Sequence, residues 1–195
     1  MKMKFIQLLM LLSAALDASA QDNYDTRQIA EMEGQRHSRI VTARGGSGSS
    51  GNFDVNYYRC RWEVDPAVRF INGSITVYFR ITAPTSSITL DMMNTLLTDS
   101  VKQAQSSLNF SQANNTVQVN FPAALAAGAR DSITIFYKGV PAETGFGSFI
   151  QSSHAGTPVM WSLSEPYGAR DWWPCKNGLD DKADSIDIYV THPAI

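Results

Sequence analysis

Apolar and polar residues alternate along most of this chain after residue 53. In several short segments every second residue is apolar, which is the periodicity of a strand with one buried face. The pattern predicts strands at Tyr58–Val64, Ile75–Ile81, Ile88–Leu90, Val117–Phe121 and Ile133–Tyr137, less regular strands within 96–110, and further strands at Val159–Ser162 and Asp184–Thr191. In the last segment Ile186, Ile188 and Val190 alternate with polar residues, so we predict that this strand is half-buried.

Turn-forming residues separate these strands. Asp65-Pro66 ends the first strand, and Asn72-Gly73 predicts the turn that leads into the second. No helix of ordinary length is predicted after residue 53. Short strands at regular spacing predict an all-β fold, an antiparallel β-sandwich that occupies residues 53–195.

The first 52 residues are predicted to lie outside this fold. Residues 1–20 combine a positively charged start, an apolar run and a small-residue cleavage site at Ala18-Ser19-Ala20, which is the pattern of a signal peptide. The apolar run is shorter than a bilayer crossing requires, so we expect no membrane span and export to the periplasm or the extracellular space. Residues 21–52 are expected to hold a short helix, at 25–35, and a flexible Gly/Ser-rich linker at 45–51.

Composition adds two bounds. Hydrophobic residues make up 44% of the 195 residues and charged residues 17%, which favours one globular domain over a disordered chain. The net charge of -2 and the lack of a basic cluster argue against a nucleic-acid partner.

Two segments between strands are predicted to be long loops. Gly139 to Pro158 has no periodicity, and loops of this length in compact domains are usually functional or disordered. Because Phe146 and Phe149 are poorly placed in a purely solvated loop, we expect this segment to fold over the loop that contains Glu165. That second loop precedes the last strand and is predicted to lie on the sheet, where binding residues are often found.

The second loop contains an unusual set of residues. Glu165-Pro-Tyr-Gly-Ala-Arg170 is followed by two tryptophans and Pro174-Cys175, and Lys182-Ala183 precedes the last strand. This set resembles the N-terminal domain of the aminopeptidase N-type zinc metallopeptidases. In that family a Gln or Glu lies five residues before an Arg, a Pro-Cys pair follows after three intervening residues, and a Lys-Ala pair opens the next strand.

The resemblance implies a role for each matching residue. Glu165 falls on the residue that binds the free amine of the peptide substrate. The residues that fall on positions supporting this loop are Arg170, Trp173, Pro174, Cys175 and Lys182. Two positions depart from the family pattern, because Asn177 stands where Asp is usual and Leu179 where Pro is usual.

The chemistry of such an anchor follows from elementary electrostatics. The α-amine of a peptide has a pKa near 8, so it is largely cationic at neutral pH. A partly desolvated carboxylate forms a charged hydrogen bond with this cation. An internal peptide bond offers no cation and leaves the carboxylate unpaired, so the carboxylate favours binding of a peptide's N-terminus. The competing interpretation from the residues alone is a structural ion pair between Glu165 and Arg170.

No catalytic or metal-binding set is found in the sequence. His37, His154 and His192 are isolated, and none belongs to a His-Glu-x-x-His or another zinc spacing. Cys60 and Cys175 could form a disulfide in an exported protein, although two buried thiols are the favoured interpretation.

By the resemblance, the zinc ligands and the general base lie further along the chain than position 195. We therefore expect that this chain alone is inactive and holds no cofactor, and that zinc belongs to the full-length family enzyme. The sandwich is expected to be incomplete at its C-terminus, which would leave a sheet edge open to self-association.

The predicted function is substrate recognition in an exported zinc aminopeptidase that removes N-terminal amino acids from peptides. The alternative is a secreted, non-catalytic β-sandwich that binds carbohydrate or protein, with Trp161, Trp172 and Trp173 as a stacking platform. A purely structural sandwich, with Glu165 paired to Arg170, is the remaining possibility.

Overall fold

The computed structural model of the chain describes residues 48–143, 148–164 and 167–193. Several predictions lie outside these residues: the signal peptide at 1–20, the short helix at 25–35, most of the Gly/Ser-rich segment, Phe146 and Glu165 itself.

The described residues form ten strands and one turn of 3₁₀ helix. The strands are β1 (Phe53–Asp65), β2 (Val68–Ile81), β3 (Thr85–Asp91), β4 (Leu96–Gln103), β5 (Ser106–Ala113), β6 (Thr116–Leu125), β7 (Arg130–Gly139), β8 (Ile150–His154), β9 (Thr157–Trp161) and β10 (Ser185–Thr191). The 3₁₀ turn is Ala169–Asp171. Among the described residues no helix has the length and apolar character needed to cross a membrane.

Eight of the strands form one sheet in the order β10-β1-β2-β7-β4-β5-β6-β3, and β8 and β9 form a separate hairpin. All neighbours in the large sheet are antiparallel except β1 and β10, which are parallel. The prediction of an all-β, mostly antiparallel fold is confirmed. The two layers expected of a sandwich are, however, parts of one continuous sheet.

This sheet curls, so that strands far apart in its order meet. The rings of Phe79 in β2 and Phe121 in β6 lie 6.2 Å apart. Immediately before β1, the Asn52 side chain donates hydrogen bonds to Thr85 Oγ1 (2.7 Å) and to the Ser87 carbonyl (2.9 Å) of β3. The core therefore lies inside the curl, where the apolar residues of the alternating strands are buried.

The end of the Gly/Ser-rich segment is held against β3. The Gly48 N–H donates to Asp91 Oδ1 over 2.7 Å, and the Ser50 N–H donates to the Thr89 carbonyl over 3.1 Å. A Cβ at Gly48 would collide with Thr116. Residues 48–50 therefore pack closely on the sheet.

The predicted turn at Asn72-Gly73 is wrong, because both residues lie inside β2. The chain turns at residues 66–67, where the Ala67 N–H donates to the Asp65 side chain over 2.8 Å. Gly73 serves close packing: a Cβ there would lie 2.9 Å from a ring carbon of Tyr137 and 3.0 Å from one of Trp62.

The prediction of a loop over the whole of 139–158 is also wrong. Ile150–His154 forms β8, which pairs with β9 around a turn at Ala155 and Gly156. Most of this hairpin is exposed, so its sequence lacks the apolar alternation by which a half-buried strand is recognised.

The predicted last strand is present as β10, but its predicted half-burial is wrong. All seven of its residues are exposed, including Ile186 (45%), Ile188 (57%) and Val190 (55%). The strand lies at the edge of the sheet, and within the described part of the chain nothing covers its apolar face.

Candidate functional site

The loop between β9 and β10 lies on the sheet, as predicted, and two tryptophans attach it there. The ring of Trp172 lies 4.5 Å from Trp62 of β1, and the ring of Trp173 packs edge-on against Tyr58 at 5.1 Å. Both tryptophans are 9% exposed, whereas Trp161 is 49% exposed. The predicted stacking platform of three tryptophans is therefore wrong, because two of them belong to the core.

The segment before β8 covers this loop. Phe149 is buried and its ring lies 5.5 Å from that of Trp172. Ser148 Oγ donates to the buried Asp171 carboxylate over 2.5 Å, and the Ala142 N–H donates to the Asp171 carbonyl over 3.0 Å. The expected contact of this segment with the second loop is thus confirmed for its described residues.

Backbone hydrogen bonds join the loop to the end of β3. Asp91 and Cys175 exchange two of them, at 2.8 and 3.0 Å, and the Met93 N–H donates to the Arg170 carbonyl over 2.9 Å. Cys175 and Pro174 are buried here. Four of the predicted supporting residues, Arg170, Trp173, Pro174 and Cys175, are therefore brought together where the loop meets the sheet.

A buried ion pair that the sequence analysis missed holds the second half of the loop. Lys176 Nζ lies 2.6 Å from Asp181 Oδ2, with both side chains 7% exposed, and also donates to the Phe53 carbonyl over 2.7 Å. The same Asp181 oxygen accepts the Val55 N–H at 3.1 Å. Lys182, the lysine that was predicted to support the loop, is exposed.

The residues on either side of Glu165-Pro166 are fixed by neighbours in the same loop. Ser164 Oγ accepts a hydrogen bond of 2.8 Å from the Trp172 indole N–H. The Ser164 carbonyl accepts the Gly168 N–H at 2.7 Å, and the Tyr167 carbonyl accepts the Asn177 side-chain amide at 2.9 Å. Ser164 and Tyr167 thus have defined partners within the described residues.

Neither cysteine is suited to nucleophilic chemistry. Cys60 and Cys175 are buried free thiols and form no disulfide, as favoured from the sequence. Burial raises the pKa of the Cys60 thiol to about 12, and burial, followed by the nearby Asp91 carboxylate, also raises the pKa of Cys175. Because the thiolate is the reactive form, both groups are inert near neutral pH.

The described residues do not fit a zinc ion. No three of their His, Cys, Asp or Glu side chains cluster closely enough to hold a metal. A catalytic zinc needs three protein ligands and an open position. No step involving zinc is therefore assigned to these residues.

The fold is a curled, mostly antiparallel sheet that carries this loop, and comparison with known proteins gives its family. Residues 54–194 match the Peptidase M1 N-terminal domain. The chain therefore belongs to the M1 peptidase family, and the resemblance found in the sequence is confirmed. Among curated proteins no relative matches the chain.

Solved structures show the same fold. A two-domain M1 zinc metallopeptidase variant bound to L-arginine superposes with a TM-score of 0.65 at 25% identity, covering 75% of this chain and 34% of that one. The M1 zinc metallopeptidase of Deinococcus radiodurans gives 0.63 at 25% identity, covering 73% and 33%. Native yeast LTA4 hydrolase gives 0.62 at 20% identity, covering 75% and 24%. This chain thus spans between 24% and 34% of the length of these proteins.

Proposed function

We propose that this domain is the N-terminal substrate-recognition part of an exported zinc aminopeptidase, and that Glu165 binds the free α-amine of the peptide. The observation that carries the proposal is the anchoring of both flanks of Glu165-Pro166. Ser164 is bonded to the buried Trp172, and Tyr167 to the buried Asn177. A carboxylate that discriminates between ligands needs a defined position, and these contacts hold the two residues that flank Glu165-Pro166 in the sequence.

The strength of the proposed contact sets its expected effect. A hydrogen bond between a carboxylate and an ammonium group contributes about 1.5–3 kcal/mol. A blocked or internal amide lacks the cation and leaves the carboxylate without its partner. We therefore expect a preference for free N-termini of roughly tenfold to several-hundredfold from this contact.

The ligands of the M1 relatives agree with this substrate class. The two-domain M1 zinc metallopeptidase variant has been solved with L-arginine and with L-tryptophan, and the Deinococcus radiodurans variant with a Tyr-Ser-Ala substrate. Each of these ligands carries a free α-amine. The proposal assigns recognition of that group in the present protein to Glu165.

The test uses one polypeptide that joins this domain to an M1 catalytic domain. Inhibition constants are measured for L-argininamide and for its Nα-acetyl derivative, before and after Glu165→Ala and Glu165→Gln. We expect the preference for the free amine to shrink tenfold or more in both variants, with thermal unfolding little changed. An unchanged preference would show that Glu165 is not the amine anchor.

The same measurements distinguish the proposed amine anchor from a structural ion pair between Glu165 and Arg170. If Glu165 paired structurally with Arg170, Glu165→Ala would lower the unfolding temperature and weaken both inhibitors equally. The alternative of carbohydrate binding was based on three tryptophans that form a stacking surface. Trp172 and Trp173 are buried, so they do not form such a surface.

By itself the 195-residue chain is expected to be inactive. Its sequence contains no His-Glu-x-x-His, and the zinc of the proposed enzyme is assigned to the catalytic domain. The purified chain should hydrolyse no aminoacyl-p-nitroanilide and retain no stoichiometric zinc after dialysis. Metal-dependent hydrolysis by a clean preparation would contradict this assignment.

Export is proposed from the first 20 residues alone. Expression of the full chain in a Gram-negative host should give a periplasmic protein whose N-terminus is near Gln21. A cytoplasmic protein that retains Met1 or Lys2 would contradict the proposal.

A further inference from the structure

A pocket of about 510 Å3 opens at one end of the large sheet. It lies where the starts of β7 and β10 meet β1 and β2, and its lining includes Asn56, Tyr78, Arg130, Ser132 and Asp184. Tyr78 and Ser132 alternate along their strands with core residues, so they lie on the face of the sheet opposite to the packed tryptophans. A volume of this size is in the range of small-molecule sites.

A β-bulge places two of the lining residues. The register of β1 against β2 shifts between Val55 and Tyr57, and Asn56 is left out of the pairing. The Asn56 carbonyl accepts the Asp184 N–H at 2.9 Å instead. The bulge therefore holds Asn56 and Asp184 together at one side of the pocket.

Most polar side chains of the pocket are available to a ligand. Within the described residues, no hydrogen bond or ion pair to the protein is formed by the side chains of Asn56, Arg130, Ser132 and Asp184. The lining residue Asp131 differs, because its carboxylate accepts the Gln103 amide at 2.5 Å and the Ser132 N–H at 2.7 Å. The pocket thus offers a guanidinium, a carboxylate, an amide and a hydroxyl group that lack protein partners.

The ring of Tyr78 supplies the apolar part of the lining. It packs on the ring of Tyr57 at 5.0 Å, and the guanidinium carbon of Arg59 lies 5.8 Å from its centroid. Tyr57 is held in turn, since its hydroxyl donates to Asp187 over 2.7 Å. The Tyr78 ring therefore has a fixed position, and an aromatic ring in a pocket packs well against an aliphatic group of a ligand.

The two unpaired charges lie on different sides of the pocket. Arg130 begins β7 and Asp184 immediately precedes β10, and these strands are three spacings apart in the sheet, which is about 14 Å. A guanidinium binds a carboxylate through paired hydrogen bonds, and a carboxylate binds an ammonium group. A ligand that carries both charges on one small molecule matches this arrangement.

We propose that this pocket binds a small zwitterion, either a free α-amino acid or a short peptide. The ligand carboxylate pairs with Arg130, its ammonium group pairs with Asp184, and its aliphatic side chain packs on Tyr78. Asn56 and Ser132 supply hydrogen bonds to the remaining polar atoms. This inference does not depend on the role proposed for Glu165.

The binding experiment titrates the 195-residue chain with L-leucine and with L-leucyl-L-leucine, followed by heteronuclear NMR. We expect saturable shifts at the Asn56 and Ser132 amides, with a dissociation constant of about 1 mM. The amides of residues 169–177 should not shift. Glucose, which offers hydroxyl groups but no charge, is the control ligand and should not bind. The tighter of the two zwitterions identifies the source of the ligand.

Derivatives that lack one charge test the two contacts separately. The C-terminal amide of the tighter zwitterion lacks the carboxylate, and its Nα-acetyl derivative lacks the ammonium group. Arg130→Gln should weaken the zwitterion about tenfold and leave the amide unchanged, whereas Asp184→Asn should weaken the zwitterion about tenfold and leave the acetyl derivative unchanged. Arg61→Gln and Asp99→Asn are matched controls at exposed residues outside the lining, and should alter no affinity.

Several results would overturn the proposal. One is the absence of saturation by either zwitterion at about 10 mM. Others are equal binding of glucose, equal binding of both derivatives and the zwitterion, or shifts confined to residues 169–177. If Arg130→Gln and Asp184→Asn lower the unfolding temperature but change no affinity, the two residues have a structural role and the proposal is wrong.

Discussion

The hydroxyl group of Tyr137 donates a hydrogen bond of 2.9 Å to the backbone carbonyl of Trp172. Tyr137 is fully buried in β7, and its oxygen also accepts the Trp62 indole N–H at 2.9 Å. Burial raises the pKa of Tyr137 well above its ordinary value, so the hydroxyl stays protonated and can donate. The loop with the candidate site is therefore bonded to the middle of the sheet.

Gly73→Ala should destabilise the fold. The added methyl group would lie 2.9 Å from Tyr137 and 3.0 Å from Trp62, two buried rings that are joined by a hydrogen bond. Replacing a strand glycine normally gains about 0.5–1 kcal/mol, but overpacking a core costs about 1–3 kcal/mol. We expect a net loss of roughly 1–2 kcal/mol in urea unfolding. Gly51→Ala, where the methyl group meets nothing within 4 Å, should not be destabilising.

Lys176→Met should cost about 3–5 kcal/mol, because it leaves Asp181 buried without its cation. Both side chains are 7% exposed, so solvent screens the pair little. Urea unfolding measures the loss, and a second substitution, Asp181→Leu, should recover much of it.

Lys138→Met is the matched control for the buried pair. Lys138 and Asp99 form an ion pair whose side chains are 50% and 44% exposed. Such exposed pairs contribute at most about 1 kcal/mol. Equal losses for Lys138→Met and Lys176→Met would show that burial does not strengthen the Lys176 contact.

Alkaline pH should destabilise the protein. Burial raises the pKa of Cys60 from its ordinary value of 9.0 to about 12, so the native thiol keeps a proton that the unfolded chain releases. This contribution to stability is complete below pH 9 and is lost as pH rises from about 9 towards 12. The free energy of unfolding should fall by about 1 kcal/mol per pH unit from this group. Urea unfolding at pH 8 to 10.5 measures the slope, which Cys60→Val should reduce.

The exposed face of β10 should promote self-association of this chain. Ile186, Ile188 and Val190 are 45–57% exposed on one face of an edge strand. Covering a few hundred Å2 of apolar surface contributes several kcal/mol at about 25 cal/mol per Å2. Sedimentation at increasing concentration should reveal oligomers, and Ile188→Lys should remove them. The control is Leu97→Lys, a change at a residue that is 60% exposed on β4 rather than β10, and it should leave the oligomers in place. A monomer at millimolar concentration would contradict the prediction.

The alternation of residue types determined which segments are strands and which residues face the core. Ile75, Val77 and Phe79 are buried as their spacing predicted, because a strand turns successive side chains to opposite faces whatever its neighbours are. The spacing of Arg170 and Pro174-Cys175 is likewise a local property, so the sequence sufficed to predict the family.

Only the tertiary structure decided what covers each face and which charges meet. Ile188 alternates as regularly as Ile75, yet it is exposed, because periodicity does not report whether another element packs on that face. Gly73 was predicted to form a turn because glycine is common in turns. Glycine is also found within strands where side chains pack against the backbone, and here the rings of Tyr137 and Trp62 do so. Lys176 and Lys182 are alike as residue types, and only Lys176 lies where folding brings Asp181 and the Phe53 carbonyl to its ammonium group. The Phe53 carbonyl and the Val55 N–H, which complete the environment of this ion pair, are distant from it in sequence, so no local pattern encodes these contacts.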